Sequence, residues 1–249
     1  MLHIQNITQI FNKGKEDEVQ ALDHVSLQIN KGEFVVVVGA NGSGKSTLLN
    51  LILGSYTPTQ GQILIDDQDI TALPEFKRSQ WVSMVFQNPA MGTAPDLSVL
   101  ENFRLASLRT QSKQLRIGID EAFRLQVKEK IITLGLGLEN KTEQPMGSLS
   151  GGQRQALTLL MGVMDKTSIL LMDEPTAALD PKSSQVVMQL AEKINREMGI
   201  TILLITHNMK DAMQYGNRLL HFKEGKLAHD LDSDQKKKLE IAQLYDWFG

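Results

Sequence analysis

Residues 39–47 are the stretch that most constrains the fold. They read Gly-Ala-Asn-Gly-Ser-Gly-Lys-Ser-Thr, the spacing G-x-x-x-x-G-K-[ST] of a loop that wraps phosphate groups. The β-branched run before it, residues 34–38, predicts a buried parallel strand. The apolar run after it, residues 48–53, ends at Gly54 and predicts a buried helix. A strand, a glycine-rich loop and a helix in this order predict a phosphate site at one edge of an α/β sheet.

The residue types of this phosphate loop (residues 39–47) suit a bound triphosphate. Glycine permits close backbone approach, and a helix that starts at Lys45 offers unpaired N–H groups and the positive end of its dipole. Lys45 is expected to reach the β- and γ-phosphates, and the Ser46 hydroxyl to hold Mg²⁺. A glycine-rich turn that binds nothing is the alternative. The candidate nucleotide-binding residues here are Gly39, Asn41, Gly42, Ser43, Gly44, Lys45, Ser46 and Thr47.

Composition excludes several classes of protein. A length of 249 residues suggests one or two domains, and a net charge of −3 gives no basic field for nucleic acid, so no nucleic-acid partner is expected. The chain has no cysteine, which excludes disulfides and thiolate chemistry. No apolar run approaches the roughly 20 residues that span a bilayer, and residues 1–6 lack the features of a secretory signal.

The rest of the chain predicts an α/β fold with a helical insertion. A strand that ends at Phe11 and an alternating strand around Val25 precede the phosphate loop. Residues 98–164 have a helical pattern, with the last helix starting at Arg154. Residues 66–69 read as a turn, and residues 183–198 as a further helix. The tail, residues 233–247, predicts one amphipathic helix whose apolar face comprises Leu239, Ile241, Leu244 and Trp247.

Several further residues have the chemistry of a phosphate-transfer site. Residues 169–172 predict a buried strand that ends in Asp173 and Glu174, where Asp173 is expected to be the second Mg²⁺ ligand rather than part of an exposed acidic turn. A strand over residues 201–207 ends in His207, although a lone histidine at a strand end is usually structural. Phe11 is either a core residue or a ring that stacks on adenine.

Leu-Ser-Gly-Gly-Gln at residues 149–153, the serine-glycine loop, is a weak signal alone. Ser150 suits a helix N-cap, and the glycine pair permits close backbone approach. Together with the other motifs it identifies a family. Residues 39–47, Gln87, 149–153, 169–174, 178–180 and His207 follow one another as in the ATP-binding subunit of ABC transporters, which the chain resembles over nearly its whole length. The resemblance favours Glu174, His207 and Phe11 as site residues.

The resemblance implies a P-loop NTPase core with a mainly parallel sheet, an N-terminal antiparallel β subdomain and a helical subdomain. One ABC ATPase domain, 1–249, divides into a nucleotide-binding core, 1–87 and 167–249, and a helical subdomain, 88–166. It also implies a head-to-tail homodimer with two buried ATP molecules. The serine-glycine loop of one copy, comprising Ser150, Gly151, Gly152 and Gln153, caps the γ-phosphate held by the other copy, and Asp180 connects the two sites.

The family's mechanism assigns a role to each remaining candidate. Glu174 acts as the general base for the attacking water, and His207 hydrogen-bonds the γ-phosphate. Lys45 offsets charge on the transferred group. The Mg²⁺ site comprises Ser46, which holds the ion directly, Asp173, which holds it indirectly, and Gln87, which contacts the metal or the water and senses a membrane partner. The chain departs from many family members at Ala156 and Met161, where an arginine is common.

Residues 88–95 and 153–157 resemble a bacterial importer subfamily, some of whose members are linked to aromatic amino acids. This implies transmembrane permease subunits, an extracytoplasmic substrate-binding protein, and a place at the cytoplasmic face of the inner membrane. Residues 18–22 instead resemble exporter or lipoprotein-release ATPases. A soluble ABC ATPase of DNA repair or translation would need a coiled-coil insertion or a second cassette. A generic P-loop kinase leaves the serine-glycine loop unexplained.

Overall fold

The computed structural model describes residues 1–109 and 118–248, so residues 110–117 of the predicted helical insertion lie outside the described part. Within that part the strands and helices follow the order expected for an α/β fold. The strands are β1 (Leu2–Phe11), β2 (Val19–Ile29), β3 (Phe34–Val38), β4 (Gln60–Ile65), β5 (Gln68–Asp69), β6 (Val82–Val85), β7 (Ile169–Asp173), β8 (Thr201–Ile205), β9 (Arg218–Lys223) and β10 (Lys226–Leu231). The helices are α1 (Lys45–Leu53), α2 (Glu75–Arg78), α3 (Val99–Ser107), α4 (Glu121–Ile132), α5 (Gly151–Gly162), α6 (Pro181–Met198), α7 (Met209–Gln214), α8 (Ser233–Lys237) and α9 (Ile241–Phe248).

Two sheets organise these elements. The larger has six strands in the order β10-β9-β3-β8-β7-β6, and the smaller has four in the order β2-β1-β4-β5. All neighbours in the larger sheet are parallel except β9 and β10, whereas every pair in the smaller sheet is antiparallel. The predicted α/β class, the mainly parallel sheet and the N-terminal antiparallel sheet are therefore confirmed.

The larger sheet is covered on both faces, which explains the unbroken apolar run of β3. Val35 and Val37 pack with α1 and the smaller sheet in one hydrophobic core. Val36 and Val38 point to the opposite face and belong to a second core with α3, α4, α5 and α6. A strand buried on both faces needs apolar side chains at every position, and all five residues of β3 are buried.

Helices α3, α4 and α5 form the predicted helical region, and they meet around Phe103, Val127, Ile131 and Leu157. Helix α3 begins with a capping box, in which Ser98 Oγ accepts a hydrogen bond from the Glu101 backbone N–H and the Glu101 carboxylate accepts one from the Ser98 backbone N–H. Across residues 1–109 and 118–248, every helix is too short or too polar to cross a bilayer.

Three predicted boundaries are wrong. Helix α5 begins at Gly151 rather than Arg154, because the Ser150 side chain caps it. Helix α6 begins at Pro181, a residue whose fixed φ suits a first helical turn. The turn predicted at residues 66–69 narrows to 66–67, since β5 pairs with the end of β4.

The tail forms two helices instead of one. The backbone N–H of Glu240 donates to Gln243 Oε1 at 3.0 Å, which is the arrangement of a new helix start. Of the predicted apolar face, Leu244 is buried, but Ile241 is 58% exposed. A break at residues 238–240 rotates α9 away from the continuous helix that the pattern predicted.

Candidate functional site

Three neighbouring strands of the larger sheet end where the candidate site residues lie. The phosphate loop follows β3, Asp173 ends β7, and His207 lies two residues beyond β8. Strand β8 pairs with both of the others, with Ile205 opposite Val37 on one side and Asp173 on the other. The carboxyl ends of parallel strands therefore bring the sequence-distant motifs to one edge, which is where ligands bind in open α/β sheets.

Glycines in the phosphate loop have conformations and contacts that a side chain would prevent. Gly44 has φ 100°, and a Cβ there would lie 2.6 Å from the carbonyl oxygen of Ala21. At Gly39, with φ 146°, a Cβ would lie 2.1 Å from the carbonyl oxygen of Phe222. Both positions require glycine because neighbouring backbone fills the space. Gly42 also has a positive φ, of 77°, but with open space around it.

Lys45 is folded into the loop that it follows. Its Nζ donates to the carbonyl oxygens of Gly39 and Ala40 at 2.7 and 2.8 Å, and to Ser43 Oγ at 3.4 Å. The side chain is buried, and this burial lowers the pKa of the Lys45 ammonium, with Glu174 and Asp173 acting in the opposite direction. A positive charge is thus held against backbone carbonyls at the place where phosphate oxygens are expected.

Helix α1 starts without a side-chain cap. Its N-cap is Gly44, which has no side chain to accept a hydrogen bond, so the N–H groups of the first turn, which include Ser46 and Thr47, are open to an anion. Asn41 and Gly42 are exposed at the rim of the loop, whereas Ser43 is buried. The donors of the loop, the positive helix end and the adjacent ammonium group together fit a polyphosphate.

Ser46 and Asp173 offer an oxygen pair that suits Mg²⁺. Ser46 Oγ donates to Asp173 Oδ1 at 3.4 Å, across 127 residues of sequence. Burial raises the pKa of the Asp173 carboxyl, so its negative charge lacks full solvation in this protein. A hydroxyl and a carboxylate are the hard ligands that Mg²⁺ takes alongside phosphate and water, so these residues fit the ion. Gln87 is exposed just beyond β6, and no hydrogen bond of the described residues joins it to Ser46 or Asp173.

Glu174 and His207 are directly paired. His207 Nε2 lies 2.5 Å from Glu174 Oε1. Glu174 has φ 47°, an uncommon conformation for a residue with a side chain, and its backbone N–H donates to the Ile205 carbonyl at 3.0 Å. Strained backbone of this kind is concentrated at functional sites. The pair borders a cleft of 760 Å³ that continues along α6 and α7.

The serine-glycine loop lies at the start of α5. Ser150 Oγ accepts from the Gln153 backbone at 3.3 Å, and Gln153 Oε1 accepts from the Ser150 backbone at 3.2 Å. A Cβ on Gly152 would lie 2.4 Å from Ser183 Cβ, so this glycine lets α5 and α6 pack closely. Gly151 is exposed beside Leu179. Among the hydrogen bonds of the described residues, none joins this loop to the phosphate loop of the same chain.

Asp180 and Phe11 lie outside this cluster. Asp180 is the N-cap of α6, where its Oδ1 accepts from the backbone of Lys182 and Ser183 at 3.0 Å. These bonds, foremost those from Ser183, lower the pKa of the Asp180 carboxyl. Phe11 is half-buried and contacts Tyr56 edge-to-face at 5.3 Å, outside both hydrophobic cores. Phe11 is therefore not a core residue. Of the two interpretations of its ring, stacking on adenine stays a prediction.

Sequence reasoning missed two supporting residues. Gln155 is fully buried, and its Nε2 donates to the carbonyls of Phe86 and Pro175 at 2.8 and 3.0 Å. It thereby ties the segment before Gln87 to the loop after Glu174. Arg78 is buried against the C-terminal end of α1, where its Nη1 donates to the Ile52 carbonyl at 3.1 Å. A polar residue in the apolar run 155–161 was the only available signal for Gln155.

Several known proteins are similar to this chain in sequence. Residues 22–177 match the family model described as ABC transporter. The tyrosine transport ATP-binding protein of Clostridioides difficile is 39% identical over 100% of this chain and 98% of its own length. The methionine import ATP-binding protein MetN of Haemophilus influenzae is 35% identical over 98% of this chain and 70% of its own length.

Solved structures agree with these relatives. A dimeric, post-hydrolysis state of the ATP-binding cassette MJ0796, bound to ADP and Pi, superposes with a TM-score of 0.80 and 32% identity. The match covers 94% of this chain and 99% of that one. Identity at this level over the whole length, together with the family match, extends the likeness beyond the fold. This chain therefore belongs to the ABC transporter family and is an ATP-binding, ATP-hydrolysing subunit of it.

Proposed function

We propose that this chain is the ATPase subunit of a solute importer and that it works as a head-to-tail dimer. The observation that carries the proposal is the meeting of Lys45, Asp173, Glu174 and His207 at adjacent strand ends. A lysine-bearing phosphate loop beside two carboxylates and a histidine offers both a phosphate-binding group and a base for water, which hydrolysis of a phosphoanhydride needs.

The phosphate loop binds the triphosphate, and Phe11 stacks on its adenine. Backbone N–H groups at residues 41–47 face the phosphates, and Lys45 exchanges carbonyl partners for phosphate oxygens. Ser46, Asp173 and Gln87 hold Mg²⁺, which when bound neutralises charge on the β- and γ-phosphates. Asp173 gains from this arrangement, because a cation relieves the cost of its buried charge.

Glu174 and His207 carry the chemical step. Glu174 holds the attacking water in line with the γ-phosphorus and accepts its proton, while His207 donates a hydrogen bond to a γ-phosphate oxygen. In the structure the two side chains bond to each other instead. Binding of the triphosphate therefore separates them: His207 turns to phosphate, and Glu174 becomes available to water.

A second copy of the chain completes the site. The start of α5 is exposed at Ser150 and Gly151, and it presents a positive helix end whose first turn contains no acidic residue. In the dimer Ser150, Gly151, Gly152 and Gln153 of one copy face the γ-phosphate held by the other. Asp180, the N-cap of the helix whose Ser183 packs on Gly152, connects the two sites. Closure follows ATP binding, and loss of phosphate reopens the dimer.

The proposed membrane partner is a pair of transmembrane permease subunits. This chain would bind them at the cytoplasmic face of a bacterial inner membrane. A groove of 420 Å³ supports this placement, because it lies between the helical region and the sheet edge and is lined by Met91, Leu105 and Met161. Met91 and Leu105 are 68% and 53% exposed, and a partner would cover them. Residues 88–166 act as the helical subdomain that grips the permease, while 1–87 and 167–249 form the nucleotide-binding core.

An amino acid is the proposed cargo, and an aromatic one in particular. The support is the tyrosine transport relative, whose 39% identity extends over the full length of this chain. An extracytoplasmic substrate-binding protein would deliver the cargo to the permease.

Uptake and hydrolysis test the proposal together. Cells that lack this chain should lose ATP-dependent accumulation of labelled tyrosine, and the native chain should restore it while the Glu174→Gln variant does not. Restoration by Glu174→Gln would contradict the hydrolytic role, and unchanged tyrosine uptake with altered uptake of another solute would correct the cargo alone.

A further inference from the structure

The C-terminal segment packs against the larger sheet through few contacts. Helix α8 is anchored by Lys236, whose buried Nζ donates to the carbonyl of Tyr215 and, at 3.0 Å, to that of Gly216. Among the described side chains of α9, Leu244 is fully buried and Trp247 is partly buried against the core. Tyr245, one turn beyond the exposed Ile241 and on the same side of the helix, is 63% exposed. Because an isolated helix of eight residues is unstable in water, α9 depends on these contacts for its structure.

Trp247 lies on a pair of histidines. His221 on β9 and His229 on β10 have nearly parallel rings, 8° apart, and their Nδ1 atoms are 3.0 Å apart. The Trp247 ring stacks on both, with centroids at 4.5 and 4.8 Å. Burial lowers the pKa of His221 to about 4, so this residue is neutral at pH 7. The histidine pair, His221 and His229, thus forms a flat platform on which the Trp247 ring holds the end of α9.

The end of α9 that this contact fixes lies beside the phosphate loop. Residues 40–43 of the loop, residues 221–224, Asp246 and Trp247 line a single cavity of 270 Å³. Helix α9 has no basic residue in its last turn, and the C-terminal end of a helix carries the negative end of its dipole. Both Asp246 and this helix end place negative charge at the flank of a loop that is built to bind an anion.

We propose that α9 is an autoinhibitory strap: when docked on the histidine pair it lowers the affinity of the phosphate loop for a nucleoside triphosphate, and a bound triphosphate displaces it. The strap rests on the proposed function, since it requires that residues 39–47 bind nucleotide. Asp246 would repel a triphosphate on the phosphate loop, because charges act on one another over roughly 8 Å at physiological salt, whereas Lys223 and Glu224 of the same cavity have opposite charges and offset each other. If triphosphate weakens docking of the strap, then docking weakens triphosphate binding by the same factor.

Point variants of the full chain distinguish an autoinhibitory α9 from an α9 that has only a structural role. Trp247→Ala removes the stack, and Tyr245→Ala, on the exposed side of the same helix, is the matched control. Calorimetry with the non-hydrolysable β,γ-imido analogue of ATP should give a dissociation constant about fivefold lower for Trp247→Ala than for the native chain. Tyr245→Ala should bind like the native chain, and Trp247→Phe, which keeps a ring on the platform, should lie between them.

Tryptophan fluorescence measures the docking of α9 on the histidine pair. The chain has two tryptophans, so Trp81→Phe leaves Trp247 as the single reporter. Addition of the analogue should shift its emission to the red as the ring leaves the histidine pair. Equal or weaker binding by Trp247→Ala, or emission that the analogue does not shift, overturns the strap and leaves the proposed function standing. A native chain that binds no analogue overturns both.

Discussion

Two helices of this chain begin after glycine-rich sequences, and they begin differently. Helix α1 has Gly44 as its N-cap and no side-chain acceptor for its first N–H groups. Helix α5 has Ser150, whose hydroxyl takes the N–H of Gln153 in a complete capping box. The first helix therefore leaves its donors for an anion, whereas the second is already stabilised within its own chain.

The surroundings widen this contrast. Beside the start of α1 lies the buried ammonium of Lys45, and opposite it lie Asp173 and Glu174. The start of α5 has no acidic residue in its first turn and is exposed. We therefore expect the start of α1 to bind an anion by itself and the start of α5 to contribute a supplementary contact. Nucleotide should bind α1 first, and α5 of a second copy should join only after the phosphate is in place.

Glu174→Gln separates ATP binding at the two helix starts from ATP hydrolysis, and it has the largest expected effect. The change keeps the size of the side chain but removes the base, so ATP hydrolysis should fall by about 10²- to 10⁴-fold. The affinity for ATP should stay within about twofold, because α1 and Lys45 are untouched. Phosphate release and calorimetry measure the two quantities, and loss of ATP binding with loss of turnover would contradict the assigned role.

Lys45→Ala tests the α1 side of the comparison. The change removes a buried positive charge that faces phosphate, so the dissociation constant for ATP should rise by about 100-fold. Lys128→Ala, an exposed lysine of α4, is the control and should not change the constant. Calorimetry in the Glu174→Gln background measures both, and equal affinities for the two variants would refute the site.

Gly152→Ala asks whether this glycine serves packing inside one chain. The new methyl group would meet Ser183 Cβ at 2.4 Å, so the free energy of unfolding should fall by about 1–3 kcal/mol. The double variant with Ser183→Gly should recover part of this loss, because it removes the opposing atoms. Urea titration measures the values, and an unchanged midpoint in Gly152→Ala would argue against close packing of α5 on α6.

Ser150→Ala tests the α5 side. Loss of the cap should lower the free energy of unfolding by about 1 kcal/mol. The affinity of an isolated chain for ATP should not change, in contrast to Lys45→Ala, because no hydrogen bond of the described residues joins Ser150 to the phosphate loop of the same chain. A weaker ATP affinity in dilute, monomeric Ser150→Ala would show that the helix acts within its own chain.

His221→Gln, a change beside the phosphate loop, has the smallest expected effect, and it concerns the pH dependence of the free energy of unfolding. The unfolded chain protonates this histidine near pH 6.5, but the folded chain does so only near pH 4. Between these values the unfolded state binds more protons, so the free energy of unfolding falls as the pH drops from 6.5 to 4. The fall should be smaller in His221→Gln, as urea titrations across this range would detect. Identical slopes for the two proteins would rule out a buried neutral histidine.

The sequence was informative wherever the chemistry is local. The order of strand, glycine loop, lysine and helix is contained in about 20 residues, and the structure has these elements at the predicted positions. The pairing of Glu174 with His207 was accessible by one further step, because both follow strands that lie side by side in a parallel sheet.

Long-range contacts were not accessible. Gln155 binds carbonyls 69 and 20 residues away, and nothing in its own neighbourhood identifies those partners. The packing of α9 beside the phosphate loop joins residues about 200 positions apart through one tryptophan. In both cases the fold creates the contact, and periodicity reports only that a residue is apolar or polar.

In the proposed dimer, one phosphate is held between the α1 start of one copy and the α5 start of another. Light scattering on the Glu174→Gln variant tests it most directly: the molar mass should double when ATP is added. With Ser150→Glu added to the same variant, each chain should still bind ATP by calorimetry but remain a monomer, since a carboxylate then faces the γ-phosphate. An ATP-bound Glu174→Gln chain that stays monomeric, or a Ser150→Glu chain that pairs as readily as its parent, would contradict the account.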